Sequence, residues 1–140
     1  MSIERFIEAQ QPVWGKVVEE LSAGKKLTHW SWFIFPQIRG LGDSAMSKMY
    51  AIESIDEAVA YWQQPVLGPR LRQCVELMLK HDGRFTPGEV LGHTDALKLR
   101  SCLTLFEQAI PEESLFNEAL DDLYRGERDP QTLKILASIS

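Results

Sequence analysis

Apolar residues recur along most of this chain at the three- and four-residue spacing of helices that face a core. Ile3, Phe6 and Ile7 form the first such group, and Val13, Val17, Val18 and Leu21 the second. Ile55, Ala58, Val59 and Trp62 form another, followed by Leu71, Val75, Met78 and Leu79. Helix-starting and helix-stopping residues punctuate the pattern. Ser2 and Ser44 can each cap a helix, and Ser54 with Glu57 three residues later reads as a capping box. Pro12 suits the first turn of a second helix, which Gly24 ends, and Pro65 and Pro69 mark another helix entry. The segment FTPGEVLG reads as one capped turn, a helix from Glu113 to Leu123 stops at Gly126, and Asp129-Pro130 opens a last helix to about Ala137. The pattern predicts seven to nine short helices, almost no strand, and one all-α, multihelical domain over residues 1–140.

The segment HWSWFIF at 29–35 breaks this periodicity. As a strand it would put Trp30, Trp32 and Ile34 on one face and His29, Phe33 and Phe35 on the other, and its aromatic content suits that reading. The rest of the chain offers no partner strand, and an unpaired buried strand leaves its backbone polar groups without hydrogen bonds. A helix satisfies its own backbone, and a helix apolar on all sides must be enclosed by protein. The expectation is therefore a short, buried central helix ended by Pro36, with the other helices packed around it.

The longest pattern runs from Thr94 to Ile110. Leu99, Cys102, Leu103, Phe106 and Ile110 form one stripe, Leu97, Ser101 and Leu105 a second, and Arg100 and Glu107 mark a solvent face. Lys98 falls beside the stripes. A partly buried ammonium needs a partner, and Asp95, one turn earlier, is the local candidate. Lys98 thus reads either as half of a structural ion pair or as a cation lining a pocket for an anionic group.

Composition narrows the functional classes. The chain has 140 residues, a formal net charge of -5 and a pI of about 5.2. Its basic residues are scattered, so a nucleic-acid partner is not expected. No stretch approaches the roughly 20 apolar residues that span a bilayer, so no membrane partner is expected either. The two cysteines, Cys74 and Cys102, lie in helical apolar patterns without metal-ligand spacing, so no metal site is expected. With no export segment at the start, they fit a reducing cytoplasm. Gly40-Leu41-Gly42 falls far short of a dinucleotide fingerprint, and the cofactor, if any, is not readable. These glycines permit a positive φ or a close backbone approach, either as a turn or as a lead into an anion-binding start of the Ser44 helix. His29 reads as a buried neutral histidine or as an acid, base or ligand donor. Gln37 reads as a backbone cap or a specificity contact, and Trp30 and Trp32 as core or as ligand platforms.

The stretches HWSWFIFPQIRGLG at 29–42, EAVAYWQQPVLGPRL at 57–71, DALKLRSCLTLF at 95–106 and GERDPQTLKIL at 126–136, with AQ at 9–10 and YAI at 50–52, resemble the bacterial domain-of-unknown-function family 1810. The resemblance runs in order over nearly the whole chain. It implies a multihelical fold with an unusually short buried central helix, as in a small mycobacterial protein of known structure similar to the family. It implies no activity. Some members carry a calpastatin-like label, for which the residues here offer no physical support. The family's signature polar positions match at Gln10, His29, Gln37, Ser44, Tyr50, Asp95, Lys98 and Ser101. The chain departs at Ser31, where the family usually has methionine, and at Ala45-Met46. The resulting expectation is a pocket beside the central helix for a small anionic or nucleotide-like ligand, with candidates His29, Trp30, Gln37, Arg39, Gly42, Ser44, Tyr50, Lys98 and Ser101. An enzyme using His29 or Lys98 as general acid or base, and a purely structural or interaction protein, are the alternatives.

Overall fold

The computed structural model describes residues 2–139. Ten helices follow one another among them: α1 Glu4–Gln10, α2 Trp14–Ala23, α3 Ser31–Ile34, α4 Ala45–Met49, α5 Ile55–Gln63, α6 Leu67–Lys80, α7 Pro87–Leu91, α8 His93–Ala109, α9 Ser114–Tyr124 and α10 Pro130–Ile139. The longest, α8, packs against α5, α7, α9 and α10, while α2 and α9 cover α6, and α1 covers α3. A run of tilted and edge-on rings joins the layers: Phe6 to Tyr61 at 5.1 Å, Tyr61 to Phe106 at 5.5 Å and Phe106 to Phe116 at 5.6 Å between centroids.

The aromatic segment is helical and enclosed. α3 is a single turn, closed by Ile34 N–H to Trp30 C=O (3.2 Å) and Phe35 N–H to Ser31 C=O (2.9 Å). Trp30, Ser31, Phe33, Ile34 and Phe35 are all buried, and Trp32 alone on this turn reaches partial exposure. The one strand-like feature among the described residues lies downstream. Ile38 and Ile52 form an isolated parallel bridge, with Ile52 N–H to Gln37 C=O (2.8 Å) and Arg39 N–H to Ile52 C=O (2.9 Å). This bridge gathers residues 37–52 into a looped flap over α3.

One turn of helix is too short to stand without outside support. Two buried side chains from other helices hold it. On the entering side, Glu20 of α2 accepts four hydrogen bonds, from Leu27 N–H (2.8 Å), Thr28 N–H (3.0 Å), the Thr28 hydroxyl (2.7 Å) and the Trp30 indole (3.0 Å). On the leaving side, Gln10 of α1 donates to the Phe33 carbonyl (2.8 Å) and to the Tyr61 hydroxyl (3.0 Å), and its own oxygen accepts from Arg70 (3.3 Å). Burial alone would push the Glu20 carboxyl up; the Thr28, Leu27 and Trp30 donors reverse this and bring it from 4.5 to about 2.

Most expected helix boundaries hold, and the departures have local causes. Gly24 ends α2 in the left-handed region, and Ser44 caps α4 through Ser47 N–H (3.0 Å). Pro12 stands ahead of the second helix rather than in its first turn, since α2 begins at Trp14. Ser54 accepts from Glu57 N–H (3.1 Å), but Glu57 reaches past it to Glu53 N–H (2.8 Å), so the expected capping box is only half made. A full box forms at Thr86 and Glu89, in the segment expected to be a single capped turn. α9 is capped by Arg125, a non-glycine residue at φ 55, one residue before Gly126. Arg100 and Glu107, expected on a solvent face, are half-covered, because the chain entering α10 brings Arg128 to Glu107 and Asp129 to Arg100.

Replacing Glu20 by Ala leaves the Trp30 indole and two backbone N–H groups without their acceptor, a loss of about 3 kcal/mol in chemical denaturation. The carboxyl of Glu20 titrates lower in the folded chain than in the unfolded one, so its contribution is complete above pH 4.5 and is lost as pH falls toward about 2. Acid unfolding curves of the native protein and Glu20→Gln are expected to differ in slope across that window.

Candidate functional site

The flap at 37–51 and the first half of α8 do not close on each other completely. A depression of about 290 Å³ lies between them, and a second, of about 140 Å³, lies within the flap itself beside Trp32. Gln37, Leu41, Gly42 and Ser47 line both and form a shared wall. Trp32, Arg39, Asp43, Lys48 and Tyr50 complete the smaller one, and Thr94, Leu97, Lys98, Arg100, Ser101, Asp129 and Gln131 the larger. Through that wall the two join into one notch.

Backbone geometry shapes the shared wall. Gly40 turns the chain at φ 109, where a side chain would be strained. A Cβ at Gly42 would lie 2.6 Å from the Ser47 hydroxyl and 2.8 Å from its Cβ, so only glycine lets the flap approach α4 this closely. Arg5 fastens the far end of the flap from α1, donating to the Met49 carbonyl (2.8 Å) and the Ala51 carbonyl (2.7 Å).

Of the sequence candidates, Gln37, Arg39, Gly42, Tyr50, Lys98 and Ser101 meet at the notch. The other candidates do not. His29 is exposed and lines neither depression. Trp30 is fully buried, with its indole committed to Glu20. Ser44 spends its hydroxyl on Ser47, accepting from its N–H and donating to its hydroxyl (2.9 Å), so it shapes the rim without lining it.

The charges around the notch are unequally committed. Arg39 has its fork on Glu53, with Nε 2.7 Å from both carboxylate oxygens, and also donates to the Lys48 carbonyl (3.2 Å). Arg100 faces Asp129 at 3.6 Å and Glu127 at 3.9 Å. Ser101 donates to Asp129 (2.9 Å), which also accepts from the Thr132 hydroxyl (2.6 Å) and N–H (3.2 Å) at the start of α10. These groups are structural first. Lys98 is different. Its ammonium stands over the Trp32 ring, 4.7 Å from the centroid, and 3.5 Å from Asp95. Asp95 has a closer partner in Lys26, at 2.9 Å, which itself stands over Trp30 at 4.9 Å. Burial would raise the Asp95 carboxyl; Lys26, the Ser31 hydroxyl and, after them, Lys98 bring it below the usual range. Two cations therefore share one carboxylate. The Gln37 amide, the Tyr50 hydroxyl and the Lys48 ammonium have no side-chain partner among the described residues.

The profile described as "Protein of unknown function (DUF1810)" matches residues 1–136. The chain belongs to that family. A solved relative in DUF1810's fold is the conserved hypothetical protein Rv1873 from Mycobacterium tuberculosis, whose crystal structure superposes with a TM-score of 0.92 at 46% identity, covering 96% of this chain and 95% of that one. No curated protein matches the chain. Among the described residues no helix is long and apolar enough to cross a membrane, and no group of three or more His, Cys, Asp or Glu is placed to hold a metal ion.

Sequence reasoning did not find Lys26, because its partnership with Asp95 joins the loop after α2 to the start of α8 across about half of the chain. It placed Leu97 on a buried stripe, whereas Leu97 is 44% exposed and forms an apolar lip of the notch beside Lys98. The i, i+4, i+8 stripe fails at its first position because the flap stands off from α8 there and leaves the larger depression.

Gly42→Ala is expected to cost about 1–2 kcal/mol by forcing α4 away from the flap. The cost should shrink in a Ser47→Gly background, since the clashing atoms are then absent; a double-mutant cycle on denaturation free energies measures this coupling.

Proposed function

We propose that this DUF1810 protein binds a small anionic, nucleotide-like metabolite in the notch between the 37–51 flap and α8. The observation that carries the reading is the placement of uncommitted polar groups on two adjoining depressions that share the Gln37–Gly42–Ser47 wall. Lys98 holds only a share of Asp95, and Gln37, Tyr50 and Lys48 have hydrogen-bonding capacity that the protein does not use. Most surface lysines are solvated singly; four such groups around two depressions with a common wall, beside two aromatic rings, make a recognition surface. In this reading Lys98 supplies charge, the Gln37 amide reads a polar edge of the ligand, and the Tyr50 and Trp32 rings contact its flat part. The overall acidity of the chain favours a small ligand over a nucleic acid. Acid–base catalysis through His29 has less support than binding, because His29 lines neither depression.

A ligand that binds only the folded chain at 100 times its dissociation constant adds about 2.7 kcal/mol to its stability. For a domain of this size that is a melting shift of roughly 9 °C, readable in a metabolite screen. Lys98→Met and Gln37→Ala are expected to fold, because neither is fully buried, and to lose the shift. A screen in which no phosphorylated or carboxylated metabolite raises the melting temperature, or in which both variants keep the shift, contradicts the reading.

A further inference from the structure

Resting on that reading, we propose that the notch takes the phosphoryl end of its ligand at the Gln37–Gly42–Ser47 wall, and that Lys98 meets it by leaving Asp95 to Lys26. The choice of a phosphoryl group over a carboxylate follows from which cations are available. A carboxylate is best recognised by an arginine fork, and both guanidiniums of the notch already face carboxylates, Arg39 on Glu53 and Arg100 on Asp129 and Glu127. What remains are two ammonium groups, Lys98 lining one depression and Lys48 the other, with the Gln37 amide and the Ser47 hydroxyl on the wall between them. Compact point charges with a few neutral donors suit a dianion with oxygens on several sides. Asp43, on the smaller depression, sets the limit on that side and keeps the dianion toward Lys98.

The release of Lys98 follows from the geometry around Asp95. Lys26 is the tighter partner at 2.9 Å and its side chain is 6% exposed; it is further fixed by donating to the Thr28 carbonyl (2.5 Å) and by its place over Trp30. Lys98 is the looser one at 3.5 Å, and its side chain is 19% exposed. When Lys98 turns to an anion, Asp95 keeps a counter-ion, so no buried carboxylate is left bare. The same movement lifts the ammonium off the Trp32 ring and frees that face for the flat part of the ligand. Asp95 and Lys26 are then positioning residues that set how readily Lys98 is given up.

The test uses inorganic phosphate as the probe, with chloride at equal ionic strength as the control. The readout is the indole N–H resonance of Trp32, assigned with a Trp32→Phe variant. Phosphate is expected to shift that resonance saturably, and Lys98→Met to abolish the response. Asp95→Asn, which removes the competitor, is expected to lower the midpoint roughly fivefold, the equivalent of a largely covered but loose ion pair, and Lys26→Met to raise it by a similar factor. A crystal structure at saturating phosphate is expected to show Lys98 on the anion and Lys26 still on Asp95. If Lys98→Met abolishes the response but Asp95→Asn leaves or raises the midpoint, or Lys98 stays on Asp95 beside bound phosphate, the release is wrong while the notch stands. If no variant responds to phosphate, the phosphoryl assignment is wrong, and the metabolite screen alone judges the notch.

Discussion

A single turn of helix at the centre of this molecule is held by hydrogen bonds that it cannot make for itself. Glu20 gathers the incoming loop and the Trp30 indole into one carboxylate, and Gln10 takes the Phe33 carbonyl at the other end. Both groups are buried and ring-packed, so their hydrogen bonds are made in a medium where leaving them unmade is costly. With both ends pinned, Trp30, Phe33, Ile34 and Phe35 fill the centre and only the Trp32 edge faces outward. That edge is where the notch lies. The position of the candidate surface is in this way set by an interaction two layers below it.

The flap follows from the same constraint. Once Pro36 ends the aromatic turn, the chain leaves through Gln37 and Ile38, and the bridge to Ile52 fixes where it returns. Gly42 lets it pass close to Ser47, and Arg5 ties down its far end. The flap thereby carries Gln37, Leu41 and Gly42 to the side of α8 that bears Lys98 and Ser101. Groups from distant parts of the sequence converge because each segment is anchored through its backbone.

The fold was legible because helical spacing, caps and the absence of a partner strand all point the same way. The enclosed aromatic turn could be argued from the rule that buried backbone must be paired, without reference to aromatic propensity. The site was legible only in part. The Lys98–Asp95 pair is local, one helical turn apart, and so could be read. The anchors Glu20 and Lys26 could not, since each acts on residues from another element and each resembles an ordinary solvated charge in sequence. His29 misled in the opposite sense: beside Trp30 in the chain, it points away from the core that its neighbour fills, because a helix entry turns successive residues to different sides. The family relationship fixes the fold firmly and leaves the activity open.

Amide hydrogen exchange tests the central claim most directly. An enclosed turn pinned by Glu20 and Gln10 predicts that the Ile34 and Phe35 amides exchange only through global unfolding, as slowly as those of Leu103 and Phe106 in the middle of α8. Exchange of Ile34 and Phe35 as fast as the amide of Lys48, on the exposed α4, would contradict it.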